Sequence, residues 1–330
     1  MVGDSGRDSK SYLLSLFLNP NDCYNLSMNN FKKILKTSKR RLKIDEIFVK
    51  ARKGTRSKVY LSDNYAIKIN PEGDILKGEY LTIKSINFKF APRVLDFFKI
   101  EGCGVLTEKK IKGVGLDEAW RNLSDKGRSE LISDLSRAIA KIHSIKKESF
   151  WWARTPDKKY QSYGELLLER LNLPRQVIEK NKRALKIFKA VADNLEVKKV
   201  NQTFSSVKAV LVHGDLIIHN LLTDGQNLTG VLDWEFSQAG DSFYDLARVV
   251  YYQGCAKAYD DSGEDEVFEH DFTTRLIKSL NKLIEFDSEK YRVLRSLFFA
   301  ESIAWAVNSK NPEKNLAELT QPVFNTKICI

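Results

Sequence analysis

His213-Gly214-Asp215-Leu216-Ile217-Ile218-His219-Asn220 and Val231-Leu232-Asp233-Trp234-Glu235 carry the chemistry most legible in this chain. The spacing is His-x-Asp, an Asn five residues after the Asp, and a second Asp thirteen positions beyond the Asn. Phosphoryl transfer to a hydroxyl calls for such a set. One carboxylate orients and deprotonates the attacking hydroxyl, while an amide oxygen and another carboxylate hold magnesium against nucleotide phosphates. Magnesium is a hard cation that takes one or two carboxylates plus substrate phosphates, which suits an Asn and Asp pair. Asp215 is therefore the catalytic candidate, and Asn220 and Asp233 are the metal-ligand candidates. The plainer alternative, a buried His and Asp in an ordinary loop, loses ground because the second Asp lies inside strand-like Val-Leu-Asp-Trp-Glu.

These residues need elements to bring them together. Ala209 to Val212, Leu221 with Leu222, and Val231 with Leu232 read as short buried strands that hold the loop at both ends. Thr223-Asp224-Gly225-Gln226-Asn227 is rich in turn formers, so the chain reverses there and returns Asp233 beside Asn220.

A nucleotide side is readable upstream. Lys53-Gly54-Thr55-Arg56-Ser57-Lys58 joins two strand candidates; Gly54 permits close backbone approach, and the Ser57 hydroxyl can meet a phosphate oxygen. It is neither a G-x-G-x-x-G nor a Walker loop, and a plain hairpin is the competing reading. Lys68, a charge inside apolar Ala66-Ile67-Lys68-Ile69, is placed to neutralise inner phosphates, with Glu79 as its carboxylate partner and Glu72 as the alternative.

At 330 residues, 42% apolar and 29% charged, the chain has room for one large core or two moderate ones. Four cysteines without CxxC spacing argue against a zinc site or a disulfide framework, and Cys329 is not placed for prenylation. The apolar run Tyr12 to Leu18 is short and broken, so neither a signal peptide nor a membrane span is expected, and a cytoplasmic enzyme is. The net charge of +11 is concentrated between Lys32 and Lys58, which reads first as a solvated basic face and second as a nucleic-acid grip.

Periodicity organises the rest. Asn29 onward carries Phe31, Ile34 and Leu35 at helical spacing, an N-terminal helical extension within residues 1–41. Strands are expected at Ile44 to Ala51, Lys58 to Leu61, Tyr65 to Asn70, Arg93 to Ile100 and Gly104 to Glu108, with a helix at Gly78 to Ile86 whose apolar face includes Tyr80, Leu81 and Ile83. Residues 42–108 thus form a small antiparallel-sheet lobe. Residues 109–330 form a mainly helical one, with helices at Arg128 to Ile145, Gly164 to Leu173, Asn181 to Leu195, Asp241 to Tyr252 and Arg292 to Asn308. His143 is read as a packing residue, since nothing near it in sequence partners it.

With these pieces in place, the chain from Ile44 to Val307 resembles the aminoglycoside phosphotransferase and choline kinase superfamily. The resemblance rests on Gly54-x-x-Ser57-x-Val59-Tyr60, Lys68, Glu79-x-x-x-Ile83, Ile139 to His143, His213-Gly214-Asp215 with Asn220, Asp233-Trp234-Glu235 and Gly240-Asp241-x-x-Tyr244-Asp245-Leu246-Ala247. A protein kinase would be expected to carry Arg at position 214 and Asp-Phe-Gly at the metal site. The resemblance implies an α+β, bilobal, protein-kinase-like fold and an ATP- and magnesium-dependent transfer of a γ-phosphate to a small-molecule hydroxyl. It also implies that Asp245 braces the catalytic loop. The chain departs from its relatives at Ile217-Ile218-His219, where His-Pro-Gly is frequent.

For the acceptor, the acidic run Asp260, Asp261, Glu264, Asp265, Glu266, Glu269 and Asp271 suits a cationic aminoglycoside-like molecule or amino alcohol, against a solvated acidic loop as the plain alternative. Trp151, Trp152 and Trp305 form either a cation-binding box or ordinary core packing. Two other functions stay open: a nucleotide-binding scaffold without turnover, and a kinase-fold protein recruited to RNA by its basic region.

Overall fold

The computed structural model describes residues 28–51, 57–71, 73–259 and 264–320. Gly54, the Glu72 alternative and the run from Asp260 to Asp261 lie outside the described residues, as do the side chains of Glu264, Asp265 and Glu266.

The first lobe is a five-stranded antiparallel sheet ordered β1-β2-β3-β5-β4, flanked by two helices. Helix α1 spans Met28–Leu42, and the strands are β1 (Val49–Lys50), β2 (Lys58–Leu61), β3 (Tyr65–Asn70), β4 (Arg93–Ile100) and β5 (Cys103–Lys109), with α2 (Gly73–Lys84) between β3 and β4. Strand alternation splits β3 between two environments. Ile67 and Ile69 pack with Val105, Cys103 and Tyr60 against Ile34, Phe31 and Leu35 of α1. Ala66 and Lys68 take the opposite face, paired in register with Glu108 and Leu106 of β5. Two lysine and arginine side chains of the basic region meet acids of the β4–β5 hairpin: Lys33 with Glu101 and Arg41 with Asp96.

Two expectations need correction here. Only Val49–Lys50 of the stretch Ile44 to Ala51 joins the sheet. Helix α2 begins five residues before Gly78, and Leu81 is 43% exposed while Ile75, Leu76, Glu79, Thr82 and Ile83 are buried. The buried stripe follows the approach of the second lobe, where α2 touches Ala153 and the segment after Asp233, and not the hydrophobicity of Leu81.

The second lobe opens with β6 (Val114–Gly115), α3 (Leu116–Trp120) and α4 (Asp125–His143), the last capped by the Ser124 hydroxyl receiving Gly127 N–H. It continues through β7 (Trp151–Trp152), α5 (Tyr163–Glu179), α6 (Lys182–Phe188), α7 (Val197–Thr203), β8 (Val210–Val212), β9 (Leu221–Thr223), β10 (Leu228–Val231) and β11 (Gln238–Gly240). Helices α8 (Phe243–Tyr259), α9 (Glu264–Leu280), α10 (Ser288–Val307) and α11 (Pro312–Glu318) complete it. Two small antiparallel sheets, β10-β9-β6 and β7-β11-β8, frame the segment from His213 to Asn220. The expected helix from Asn181 to Leu195 divides into α6 and a 3-10 turn at Ala192–Leu195, and the expected α5 runs on through Pro174 to Glu179. Among the described residues no helix is long and apolar enough to cross a membrane.

The aromatic box is not assembled. Trp152 is buried with the Arg170 guanidinium 4.8 Å from its ring, Trp151 is its strand neighbour and faces the other way, and Trp305 is part-exposed on α10. Trp152 is a packing residue.

Gly78 sits where α2 crosses the second lobe, and an added methyl would run into the Ala153 backbone carbonyl, which cannot rotate away. Gly78→Ala is expected to lower the unfolding free energy by roughly 2 kcal/mol or more, because overpacking against backbone has no soft neighbour to absorb it. Urea unfolding followed by circular dichroism measures this; an unchanged midpoint would mean that the helix shifts freely on that surface.

Candidate active site

The loop between β8 and β9 owes its shape to one buried anion. Asp245, near the start of α8, accepts the backbone N–H of Gly214 at 2.7 Å and of His213 at 3.2 Å, and the Nε2 of His143 at 2.8 Å. Helix α8 is itself started by Asp241, whose side chain accepts Phe243 N–H. Burial would push the Asp245 carboxyl up, but the bond and charge of His143, aided by His213 and Gly214, hold it below the ordinary aspartate value. The resemblance-based role of Asp245 as a brace is therefore what the geometry shows. His143 is a correction: its partner lies 102 residues away, so no local pattern revealed it.

Gly214 has φ +87°, and a side chain there would meet the Phe236 carbonyl. An arginine at this position, as in protein kinases, is excluded by both backbone and space.

Asp233 is brought beside Asn220 by two bonds to its predecessor. Asn220 O accepts Leu232 N–H at 2.7 Å, and His213 Nε2 donates to Leu232 O at 3.0 Å. With Nε2 donating, His213 Nδ1 receives the N–H of Asp215 at 3.3 Å. Burial lowers the pKa of His213 despite the nearby Asp245 and Asp215, so the neutral ring makes both bonds. The 3-10 turns Ile218–Asn220 and Trp234–Phe236 then present Asn220 and Asp233, the latter in a left-handed conformation at φ +63°. Such a conformation in a non-glycine residue is strain often found at functional positions.

Asp215 is held at both carboxylate oxygens. Asn220 Nδ2 donates to Oδ2 at 3.0 Å and also to the Asp215 carbonyl at 3.0 Å, while the Tyr252 hydroxyl donates to Oδ1 at 2.8 Å. With its Nδ2 committed, Asn220 keeps Oδ1 as acceptor, and among the described residues no donor reaches it.

Across the cleft, Lys68 Nζ lies 2.6 Å from Glu79 Oε1, and the same oxygen receives Trp234 N–H at 3.3 Å. One carboxylate thus joins β3, α2 and the Asp233 turn. Burial works against the Lys68 charge, yet Glu79, Glu108 and Asp233 outweigh it and raise its pKa. The carboxyls carry the opposite strain. Burial, with Glu235, Glu79 and Asp215 nearby, raises Asp233 well above the ordinary range. Glu235 is itself balanced by Arg154 at 2.5 Å. Ser57 lies at the edge of β2, where its Oγ receives Asn70 Nδ2 at 3.0 Å. The sequence-derived candidates Lys68, Glu79, Asp215, Asn220 and Asp233 are thus linked through direct bonds and Coulombic neighbours.

Three residues were not singled out as site residues. Glu108 is buried on the Lys68 face of the sheet with no donor to Oε2 among the described residues, and burial raises its carboxyl to about 7. Its strand register with Ala66, which identifies its face, exists only once β3 and β5 pair. Tyr252 stands seven residues after Asp245, two turns along one helix face, a spacing that was readable. His219, in the departing tripeptide, bridges Asp117 of α3 at 3.0 Å and Glu269 of α9 at 2.7 Å; those bonds raise its pKa to about 9 against burial. Asp271, from the acidic run, is committed to Arg128, Arg275 and Trp120.

A fold of this architecture, with an Asp, Asn and second Asp facing a buried Lys–Glu pair, defines a two-lobed phosphotransferase. Residues 91–273 match the sequence profile of the phosphotransferase enzyme family, and the chain belongs to that family. Its structure resembles aminoglycoside phosphotransferase APH(4)-Ia, with a TM-score of 0.64 and 15% identity over 89% of this chain and 98% of that one. It also resembles APH(2'')-Ib in an ADP-bound form (TM-score 0.59, 19% identity, 88% and 98% covered) and a thermostable mutant of APH(4)-Ia in a ternary complex with AMP-PNP and hygromycin B (0.64, 13%, 88% and 97%). No curated protein sequence matches the chain. The fold is the protein-kinase-like one expected from the sequence.

The Glu108 carboxyl, lifted from 4.5 to about 7, sets a sign for stability. Below pH 4.5 both folded and unfolded states hold the proton, and the group costs nothing. Between pH 4.5 and about 7 the unfolded state gives up the proton while the buried folded-state carboxyl keeps it, so stability falls across that window and levels off above it. Glu108→Gln is expected to raise the unfolding free energy at pH 8 by up to about 3 kcal/mol, with the gain shrinking toward zero at pH 4.5. Thermal or urea unfolding across that range measures it; a gain independent of pH would remove the titration as its cause.

Proposed function

We propose that this protein transfers the γ-phosphoryl group of ATP to a hydroxyl of a small, amine-bearing molecule, with Asp215 as the base. The observation that carries the reading is the convergence of Asp215, Asn220 and Asp233 opposite the Lys68–Glu79 pair. Lys68, fixed by Glu79, faces the phosphates, and we assign Gly54 and Ser57 to binding them as well. The donor set fits magnesium: Asp233 offers a carboxylate, Asn220 an amide oxygen without a donor among the described residues, and the surplus of buried carboxylates around one lysine favours a divalent cation. Asn220 and Asp233 would hold magnesium, which when bound would supply positive charge against that developing on the phosphates.

Asp215 orients the acceptor hydroxyl and takes its proton as the new O–P bond forms. Its two hydrogen bonds keep the carboxylate in one rotamer, so the hydroxyl meets a fixed acceptor. Asp245, through Gly214 and His213, holds the peptide from which Asp215 projects. We take residues 42–108 as the nucleotide lobe and 109–330 as the lobe that binds the acceptor. For the acceptor, Asp117 and Glu269 gather at the catalytic loop around His219, a polar and acidic rim that supports an amine-bearing substrate. The solved complexes named for hygromycin B and gentamicin bind molecules of that class.

Two outcomes check this. Asp215→Asn is expected to lower kcat by about 10²- to 10⁴-fold on any acceptor that reacts in a panel of aminoglycosides, choline, ethanolamine and homoserine. Binding of Mg·ATP, measured by calorimetry, should change little; a variant with parental turnover would remove Asp215 from the chemistry. Asp233→Asn is expected to abolish the magnesium-dependent part of ATP-induced thermal stabilisation. Stabilisation by Mg·ATP as large as in the parent would place the metal elsewhere, and stabilisation of the parent without product on any acceptor would favour a scaffold.

A further inference from the structure

Among the described residues, Tyr252 is the one side chain outside the Asp–Asn–Asp set that bonds a carboxylate oxygen of Asp215. Its position is not incidental. It projects from α8 two turns after Asp245, so a single helix carries both the brace of the loop backbone and the donor to the loop's carboxylate. Its ring is fixed in turn. The Arg248 guanidinium, one helical turn back, lies 4.7 Å from the Tyr252 ring centroid and 4.6 Å from that of Phe298. Arg248 donates to Glu301 Oε2 at 3.1 Å, and Arg170 donates to Oε1 of the same carboxylate at 2.7 Å. Two buried guanidinium groups thus share one carboxylate, leaving a buried positive charge behind the tyrosine, and Asp215 is the anion on its other side. Burial first, against the pull of Arg248 and with the support of Asp215, raises the Tyr252 hydroxyl well above its ordinary pKa, so it remains a donor.

We propose that Tyr252 is a positioning residue for the phosphoryl transfer, aiming the Asp215 carboxylate and forming the wall against which the acceptor hydroxyl is seated. This rests on the reading of Asp215 as the base. Each carboxylate oxygen offers about two lone-pair directions. Asn220 takes one on Oδ2 and Tyr252 one on Oδ1, which confines the incoming hydroxyl to the directions that remain. During transfer the acceptor's proton passes to Asp215, its oxygen bonds phosphorus, and the bond to the ADP oxygen breaks; Tyr252 keeps its proton throughout. Without the phenol, Asp215 can rotate about its side-chain bonds, and the buried Arg248 charge is left facing a gap.

The test uses the full-length chain with Mg·ATP, read as ADP formed with the panel acceptors and with water as the default acceptor. Tyr252→Phe removes only the hydroxyl. It is expected to lower kcat about 10- to 100-fold, the usual worth of a hydrogen bond to a charged group. The KM for ATP should stay within about twofold and the melting temperature close to the parent's. Incorporation of 3-fluorotyrosine at position 252, which restores a donor on the same ring, should recover most of the rate. Tyr251→Phe, whose hydroxyl bonds Ser302 instead, serves as the control and should leave kcat unchanged. A Tyr252→Phe enzyme with parental kcat, or one whose loss comes with equal loss of ATP affinity and melting temperature, overturns the proposal. Asp215→Asn run alongside separates the two readings. If it is inactive while Tyr252→Phe is not impaired, only the role of Tyr252 falls; if Asp215→Asn keeps its turnover, or the parent turns over with neither water nor the panel, the underlying assignment of the base falls with it.

Discussion

One oxygen, Glu79 Oε1, does more than any other to make this chain a single machine. It meets the Lys68 ammonium on β3 and the Trp234 amide next to Asp233, so it links the sheet lobe, its helix and the Asp233 turn of the helical lobe. A carboxylate is needed there because Lys68 is buried, and an unpaired ammonium in such a place would lose its proton. Gly78, its neighbour on α2, lets the helix sit against Ala153 closely enough for the side chain to reach across. The contact thus depends on a missing side chain as much as on a present one.

Around that contact the charges do not balance. Glu79, Glu108 and Asp233 surround one lysine, with Asp215 beside Asp233, while Glu235 is answered by Arg154. Burial and mutual repulsion leave Asp233 and Glu108 reluctant to ionise, which stores unfavourable energy at the site. A stability-optimised core would not keep such an arrangement; a site for a cation and phosphates would. The left-handed backbone of Asp233 is strain of the same kind, maintained because the flanking bonds of Leu232 and Trp234 fix it.

Helix α8 organises the opposite wall. Asp245 at its start holds the catalytic-loop backbone, and Tyr252 two turns on holds the carboxylate itself. The loop therefore inherits its precision from a rigid helix packed through Tyr244, Leu246 and Val249 into the main core, and its own sequence has only to supply the functional groups. This explains how Ile217-Ile218-His219 can differ from the relatives' usual tripeptide. Asn220 is fixed by Asp215 and Leu232, leaving His219 to bridge Asp117 and Glu269 on the outer side.

Local pattern carried the α4 stripe of Leu131, Leu135, Ile139 and Ile142, the β9–β10 reversal at Asp224-Gly225 and the strand around Lys68, because each depends on neighbours a few positions away. The extent of β1, the exposed face of Leu81 and the break between α6 and the turn at Ala192 were decided by packing against distant segments, which local propensity does not register. The same division runs through the chemistry. Residue type and spacing singled out Asp215, Asn220 and Asp233 together, since phosphoryl transfer calls for those groups whatever the surroundings. Only the tertiary structure decided that His143 braces Asp245, that Glu108 shares the face of Lys68 and that Arg248 stands behind Tyr252. Each of these depends on where burial and strand register or helix facing place side chains, and for His143 and Glu108 they join positions far apart in the chain.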